Sequence, residues 1–500
     1  MPAEWSSAGL DFHLDLDPAG GRRHAVAEAI RRAIRDGRLA AGNRLPSTRA
    51  LAADLGLARG TVTRAFDELA IEGYLRIHQG AGAVVVGIPG QAQPPHPMPP
   101  PTPRPVPRWN LQPGRPDVTL FPRTAWLAAA RRAITDAPAT AFGYSEPEGH
   151  PALRKALADY LGRTRGVVAD PDAILVTAGY SQSLALLAMV LRDRGEHTVA
   201  FENPSLREFR TVMAKAAGLR TIGIPVDGKG IVVDELARRT DLGAVVVTPA
   251  HQYPLGSTLD PARRAELVEF AQATDTLIVE DDYDGEFRFD RQPIGALQAL
   301  APERVVYTGT ASKTLAPGLR LAWLVLPSWL VEPMRMAKRL ADRHTGIIES
   351  LTLAEFLTAG HYDQQVRRAR TRYRSRHDRL LGALGQEGIT VWPDSAAAGL
   401  HIVLPLPAHS PPEERVLAHL ARHSVATHGL RESWFADDPQ PGVLSGRQPG
   451  VLSGRQPGRQ PGPHSSPQPG GLVVGYAAPP EHAFAPSITA LITALRLCWR

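Results

Sequence analysis

Lysine is scarce in this chain of 500 residues, which holds only Lys155, Lys215, Lys229, Lys313 and Lys338 against many arginines. Lys313 follows an apolar, β-branched run from Val305 that breaks at Gly309 into a hydroxyl-rich loop carrying Thr310 and Ser312. Arg320 comes seven residues later, after a Pro-Gly pair that can fold the chain back. An amine presented at the mouth of a parallel sheet can form a Schiff base with an aldehyde, while hydroxyls and a guanidinium hold a phosphate. Together these groups suit pyridoxal 5'-phosphate (PLP). A lone Ser-Lys pair would be read as surface. The other four lysines sit in polar helical or turn contexts, and that contrast raises the weight on Lys313.

Two neighbouring stretches point to the same chemistry. Thr276-Leu-Ile-Val-Glu-Asp-Asp-Tyr-Asp reads as a strand ending in Asp281, Asp282 and Tyr283. A buried carboxylate keeps a pyridine nitrogen protonated, and a tyrosine can hydrogen-bond the ring oxygen. Alone, the stretch would be a solvated acidic loop. A further strand, from Gly243, ends in a polar loop with Tyr253. Strands that deliver polar groups at their carboxyl ends are how open α/β sheets bind ligands. At 173–193, a strand, a glycine turn and a helix would offer the N–H groups of Gly179, Tyr180, Ser181 and Gln182 to the phosphate.

The segments GYSEPEGHPALRKALADYL, TPAHQYPLG, VEDDYDGEFRF and YTGTASKTLAPGLR resemble the aminotransferase-like half of MocR-type regulators. These are GntR-family transcription factors fused to a fold-type I, PLP-dependent aminotransferase domain. The resemblance spans nearly the whole chain. It implies Lys313 as the Schiff-base lysine and Asp281 as partner of the pyridine nitrogen, with Asp282 the fallback. It also implies Tyr283 at the ring oxygen, and Arg320, Thr310 and Ser312 on the phosphate. Tyr144 would approach the neighbouring subunit's site.

The sequence departs from that family at three places. Leu206 stands where a ring-stacking aromatic is expected, and Tyr180 where a smaller hydroxylated residue is expected. No arginine precedes Gly471-Leu-Val-Val-Gly475, where aminotransferases hold the substrate carboxylate; only Arg447, Arg455 or Arg459, in the preceding segment, could substitute. That loss disfavours transaminase turnover and favours sensing of PLP itself.

The elements that must position these residues divide into regions. Residues 1–88 read as helix, helix, helix and hairpin, a winged helix-turn-helix. Ala25, Val26, Ala29, Ile30 and Ile34 form one helical face; Ser47 or Thr48 caps the second helix; Val62, Phe66, Leu69 and Ile71 line the third. The third helix would enter the major groove and the hairpin touch the backbone or the minor groove. A helical bundle used for protein contact is the bland alternative. Arg59, Thr61, Thr63 and Arg64 cluster where a recognition helix meets bases and phosphates. Arg49 begins the second helix, and Gly80 permits close approach at the wing tip. NRLPSTRALAADLGLARGTVTRAFDELAIEGYL resembles the GntR signature, which implies Arg49, Arg59, Thr61 and Thr63 as DNA contacts, and Arg76 and His78 as weaker ones.

Residues 89–108 are a proline-rich linker; at ~3.1 Å per residue in polyproline II it could span roughly 60 Å. From 109 to 500 strands and helices alternate in a doubly wound, mostly parallel α/β arrangement with a smaller C-terminal α+β domain. The expected fold class is thus α/β: a winged helix-turn-helix plus a fold-type I aminotransferase-like domain. A long helical region is expected from about 330 to 384, its arginine run a solvated face with Val366, Tyr373, Leu380 and Leu381 inward. VLSGRQPG occurs twice in tandem, at 443–450 and 451–458, and 437–470 is expected to be a disordered insertion.

Formal net charge is +6, mild enough to permit nucleic-acid binding without demanding it. One cysteine, Cys498, allows no disulfide within the chain, and no apolar run reaches a membrane span. The expected protein is a cytoplasmic homodimer that binds double-stranded operator DNA with repeated half-sites, PLP, and an amino-compound effector. A working aminotransferase with an appended DNA-binding module is the alternative.

Overall fold

A computed structural model of the chain describes residues 21–78, 82–86, 107–289, 294–392, 398–435 and 469–499. Gly80, nearly all of the proline-rich stretch, and Arg447, Arg455 and Arg459 lie outside these residues. The chain divides into two compact units, Met1–Pro105 and Val106–Arg500.

The first unit holds helices α1 (Arg22–Arg35), α2 (Thr48–Asp54) and α3 (Arg59–Ile71), then strands β1 (Leu75–His78) and β2 (Gly82–Val85). The strands pair antiparallel from Leu75↔Val85 to His78↔Gly82. Ser47 caps α2, its hydroxyl accepting the Ala50 N–H at 3.1 Å. Val26, Ile30 and Ile34 of α1 close on Leu51, Val62, Phe66, Leu69 and Leu75 as one core. Ile71 is a correction: it is 89% exposed. Two residues past Leu69 is roughly 200° round a helix, so Ile71 faces away from the core that Leu69 enters. Arg31 binds Glu28, Glu68 and Glu72 at 2.7–2.9 Å, which ties α1 to the end of α3.

The second unit opens with β3 (Trp109–Asn110), α4 (Arg123–Asp136) and α5 (Pro151–Arg165). There follow β4 (Ile174–Thr177), α6 (Tyr180–Asp193), β5 (Thr198–Asn203), α7 (Arg207–Ala217), β6 (Arg220–Asp227), β7 (Gly230–Ile231) and α8 (Val233–Ala237). Next come β8 (Ala244–Val247), α9 (Pro261–Thr274), β9 (Leu277–Asp281), β10 (Val305–Thr310) and β11 (Ala322–Val325). These strands form an eight-stranded sheet in the order β4-β11-β10-β9-β8-β5-β6-β7. Neighbours from β10 through β6 run parallel, while β11 and β7 run against the rest. The central strands are buried along their length, as a sheet covered by helices on both faces requires. The carboxyl ends of β4, β5, β8, β9 and β10 therefore open on one side of the sheet.

The long helical region expected from about 330 to 384 consists of three helices: α10 (Ser328–Ala341), α11 (Ile347–Thr358) and α12 (His361–Gln386). Gly346 and Gly360 stand at the breaks, Gly360 in the left-handed region at φ 72°. The arginine run on α12 is not wholly solvated. Arg376 is fully buried and donates to Asp117 at 2.7 Å and to the Ala477 carbonyl at 2.8 Å. Val366, Tyr373 and Leu380 are inward, as their spacing predicts.

The smaller lobe contains β12 (His401–Pro405), α13 (Glu413–Arg422), β13 (Val425–Ala426), β14 (His428–Gly429), β15 (Gly471–Gly475) and α14 (Glu481–Cys498). Its sheet runs β12-β15-β14, and the short β13 pairs with β3. This pairing holds the segment 109–115: Leu111 N–H donates to Ala426, and Gly475 N–H donates back to Leu111, both at 2.8 Å. A Cβ at Gly475 would come within 2.9 Å of Pro113 Cα, so glycine is needed for the segment to pass. No helix of the described residues is long and apolar enough to cross a membrane.

Candidate functional sites

The carboxyl ends of the central strands meet at a cavity of about 340 Å³. Lys313, Asp281, Tyr283, Arg320, Thr310, Ser312, Tyr180, Ser181 and Tyr253 all line it. Gly179 is not among the lining residues; it packs against the Arg320 guanidinium.

Lys313 leaves the loop after β10 and donates its Nζ to the Gly114 carbonyl at 2.6 Å. Burial pushes the amine below the ordinary lysine range, against the opposing pull of Asp281 and Asp284. A depressed pKa leaves more of the amine uncharged, the form that attacks a carbonyl. Asp281, at the end of β9, is buried, and desolvation pushes it up to about 8 despite the Tyr180 hydroxyl and Lys313 beside it. A carboxylate held so far from water has room for a cationic partner, as a protonated pyridine nitrogen would be.

Strand alternation separates the two aspartates. Asp281 faces the cavity, while Asp282 is salt-bridged by Arg165 at 2.7 Å and accepts from the Tyr307 hydroxyl at 2.7 Å. That pairing removes Asp282 from contention, because its lone pairs are spent on the far face of the sheet.

The phosphate end is built at the start of α6. Gly179 is its N-cap at φ 109°, with no side-chain cap. The first N–H groups of a helix have no partner within it, and they favour an anion. Arg320, itself at φ 52°, lies across this turn: a Cβ at Gly179 would sit 2.7 Å from its Cζ. Among the described residues Arg320 makes no ion pair. The Ser312 N–H donates to Thr310 Oγ1 at 3.1 Å, and the two hydroxyls stand 2.9 Å apart. Tyr180 does not contribute its hydroxyl here. Its buried oxygen sits beside Asp281 without a well-formed hydrogen bond, and its ring meets Phe209 edge-on at 4.5 Å. Leu206 itself lines the wall, together with Phe201 and Phe209. Tyr144 is 85% exposed and lies outside this cavity.

Several wall residues carried no sequence signal strong enough to single them out. His251 Nδ1 lies 3.0 Å from the Tyr283 hydroxyl and 2.9 Å from Asp284, a buried trio behind the ring-oxygen position. A carboxylate only accepts, so Nδ1 carries the proton, and the Tyr283 hydroxyl hydrogen is left to point elsewhere. Gly399 makes the room: a Cβ there would be 2.5 Å from His251 Nδ1. Glu202, buried and pushed by desolvation up to about 7, accepts from Thr248. Arg115 and His428 complete the wall. Only the TPAHQYPLG motif could have flagged His251; the others come from segments far apart in the chain.

In the first unit, Arg49, Arg59 and Arg64 are exposed, and Thr61 and Thr63 are half-buried, on α2 and α3. Thr63 and Arg64 bond back to the carbonyls of Arg59 and Gly60. Arg44, Arg49, Arg59 and Arg76 have no ion pair among the described residues, whereas Arg23, Arg31 and Arg35 are engaged by glutamates. His78 is exposed at the end of β1.

The molecule therefore joins a three-helix unit with a two-stranded hairpin to an α/β unit of aminotransferase type. Comparison with known proteins agrees. Residues 22–85 match the bacterial regulatory protein family gntR, and residues 110–419 match aminotransferase class I and II. The chain is 33% identical over 423 residues to the HTH-type pyridoxine biosynthesis transcriptional regulator PdxR of Corynebacterium glutamicum, covering 84% of this chain and 90% of that one. It is 30% identical to the probable rhizopine catabolism regulatory protein MocR of Rhizobium meliloti, covering 87% and 91%. Among solved structures, the kynurenine aminotransferase of Pyrococcus horikoshii shares the fold, with a TM-score of 0.64 at 23% identity, covering 78% of this chain and 90% of that one. The chain belongs to the MocR-type family of GntR transcriptional regulators, in which a helix-turn-helix unit is fused to an aminotransferase-like domain.

Proposed function

We propose that this DNA-binding regulator is PLP-responsive, its large unit sensing PLP or a PLP–amine adduct. The observation that carries the reading is the convergence on one cavity of a desolvated lysine, a buried aspartate, a tyrosine, and an arginine crossing an uncapped helix N-terminus. When bound, PLP supplies an electron-withdrawing ring and an aldehyde for an amine. Lys313 would hold the aldehyde carbon, Asp281 the ring nitrogen, Tyr283 the ring oxygen, and Arg320, Thr310, Ser312 and the turn at Gly179–Ser181 the phosphate. Tyr253, on the same wall, would help enclose the ring.

In the regulator as proposed, the chain acts as a cytoplasmic homodimer, and Arg49, Arg59, Thr61, Thr63 and Arg64 meet an operator with repeated half-sites. Ligand binding would change the operator affinity by its differential affinity for two arrangements of the protein. Residual transamination is a second reading, supported by the depressed lysine. Absence of any charged side chain from β15 speaks against turnover.

The visible spectrum of the purified chain titrated with PLP tests the cofactor reading. An imine band in the wild type and none in Lys313→Ala is expected; no band in either protein would sink it. A gel shift with the neighbouring promoter, with and without PLP, tests the regulatory half.

A further inference from the structure

The expected carboxylate arginine before β15 is absent, yet the cavity wall carries a second arginine from elsewhere in the chain. Arg115 follows Gly114, the residue whose carbonyl receives Lys313 Nζ at 2.6 Å. Its backbone is fixed on both sides. Leu111 is bonded into β13 and β15, and Asp117 is held by Arg376 at 2.7 Å and by the Tyr373 hydroxyl at 3.1 Å. The side chain is nonetheless exposed, and Arg115 has no ion pair or hydrogen bond to a side chain among the described residues. Its charge reaches both Lys313 and His428, lowering the proton affinity of each.

His428, on β14, lines the same wall opposite the buried Val473 of β15. Desolvation, the largest cause, keeps it below the usual histidine range and so neutral near pH 7. Its Nε2 lies 3.4 Å from the Gln112 amide nitrogen, which can only donate. The proton is then on Nδ1, available to an acceptor. Of the carboxylates on the wall, Asp281 and Glu202 are buried, and Glu208 also borders the adjoining recess.

The cavity thus holds two guanidiniums that are unpaired among the described residues, with Lys313 between them in role: Arg320 at the phosphate turn, Arg115 beside the lysine. We propose that Arg115, assisted by His428, is the anion receptor for an effector amine, so that this chain selects amino compounds bearing a carboxylate over uncharged amines. This rests on the PLP reading above. It runs against the expectation that loss of the usual arginine favours sensing of PLP itself.

The test uses two stable reduced adducts that differ only by a carboxylate, N-(5'-phosphopyridoxyl)-L-alanine and N-(5'-phosphopyridoxyl)ethylamine. Their binding to the full chain is measured by calorimetry. Wild type is expected to prefer the alanine adduct by about ten-fold or more, the scale of one charge-assisted hydrogen bond. Arg115→Gln should bring the ratio of the two affinities to within about two-fold of one, and Arg115→Lys should restore part of it. Arg320→Gln should weaken both adducts and leave the ratio standing. Equal binding by wild type, or a preference that survives Arg115→Gln, overturns the role of Arg115 while sparing the cofactor reading. Failure of wild type to bind either adduct overturns both.

Discussion

Two regions of this chain keep positive charge free of a salt bridge, and they do so by opposite means. On α2 and α3, Arg49, Arg59 and Arg64 stand in water, while Glu28, Glu68 and Glu72 are occupied by Arg35, Arg23 and Arg31 of α1. In the large unit, Lys313 is withdrawn from water at the carboxyl end of β10, where burial depresses its charge. Exposure leaves a charge always on and sensitive to salt, which suits a polyanion met by diffusion. Burial makes an amine reactive at neutral pH, which suits covalent capture of an aldehyde. In the function proposed above, side chains of the same sign would serve recognition in one unit and chemistry in the other.

The comparison breaks most visibly at Lys313, where substitution by alanine is expected to abolish the imine band outright. Next is Arg31. It is 8% exposed and holds three glutamates that stay within reach of water, so Arg31→Ala should cost the first unit about 2 kcal/mol, the scale of lost hydrogen bonds to charged groups. Calorimetric melting of the full chain would record it as an earlier transition of that unit. An unshifted transition would mean that the glutamates find other partners.

Arg59→Ala is expected to leave folding untouched and to weaken operator binding by about 1–3 kcal/mol. If Arg59 meets phosphate, the loss is uniform across operator sequences and the salt slope falls by about one. A loss confined to one base position would make it a reader of sequence instead.

Asp281 sharpens the buried side. Its pKa of about 8 in the folded chain lies above that of an exposed carboxylate, near 4. Over this window the folded state keeps a proton that the unfolded chain has lost, so stability falls as pH rises from about 4 to 8. In PLP-free protein, Asp281→Asn should flatten that part of the curve of Tm against pH; a curve of unchanged slope would place the proton elsewhere. The smallest effect is expected at Asp284→Asn. An amide can donate to His251 Nδ1 and shift the ring's proton to Nε2, whereupon the Tyr283 hydroxyl turns to Nδ1. With PLP bound, the pKa of the imine band should rise by less than about one unit, as the ring oxygen loses a donor.

Much of this was legible beforehand for local reasons. Lys313, Asp281, Tyr283 and Arg320 stand within 40 residues of one another, on strands whose apolar runs announce them and whose carboxyl ends must share one side of a parallel sheet. The α1 and α3 cores follow from helical spacing, and Ile71 failed because the period was followed one step too far. Strand alternation decided between Asp281 and Asp282, but the direction of the alternation is set by what packs on each face. Here that is Arg165, more than 100 residues upstream.

By itself, then, the sequence determined the two units, the α/β class and most of the residues that gather at the cavity, because residue type and spacing within one βα unit are local properties. Only the tertiary structure decided who shares the wall. Arg115 arrives from the segment pinned by β13 and β15, His428 from β14, and His251 meets Asp284 across 33 residues. Contacts at such separations are fixed by packing and by the burial of charge, which no short pattern encodes.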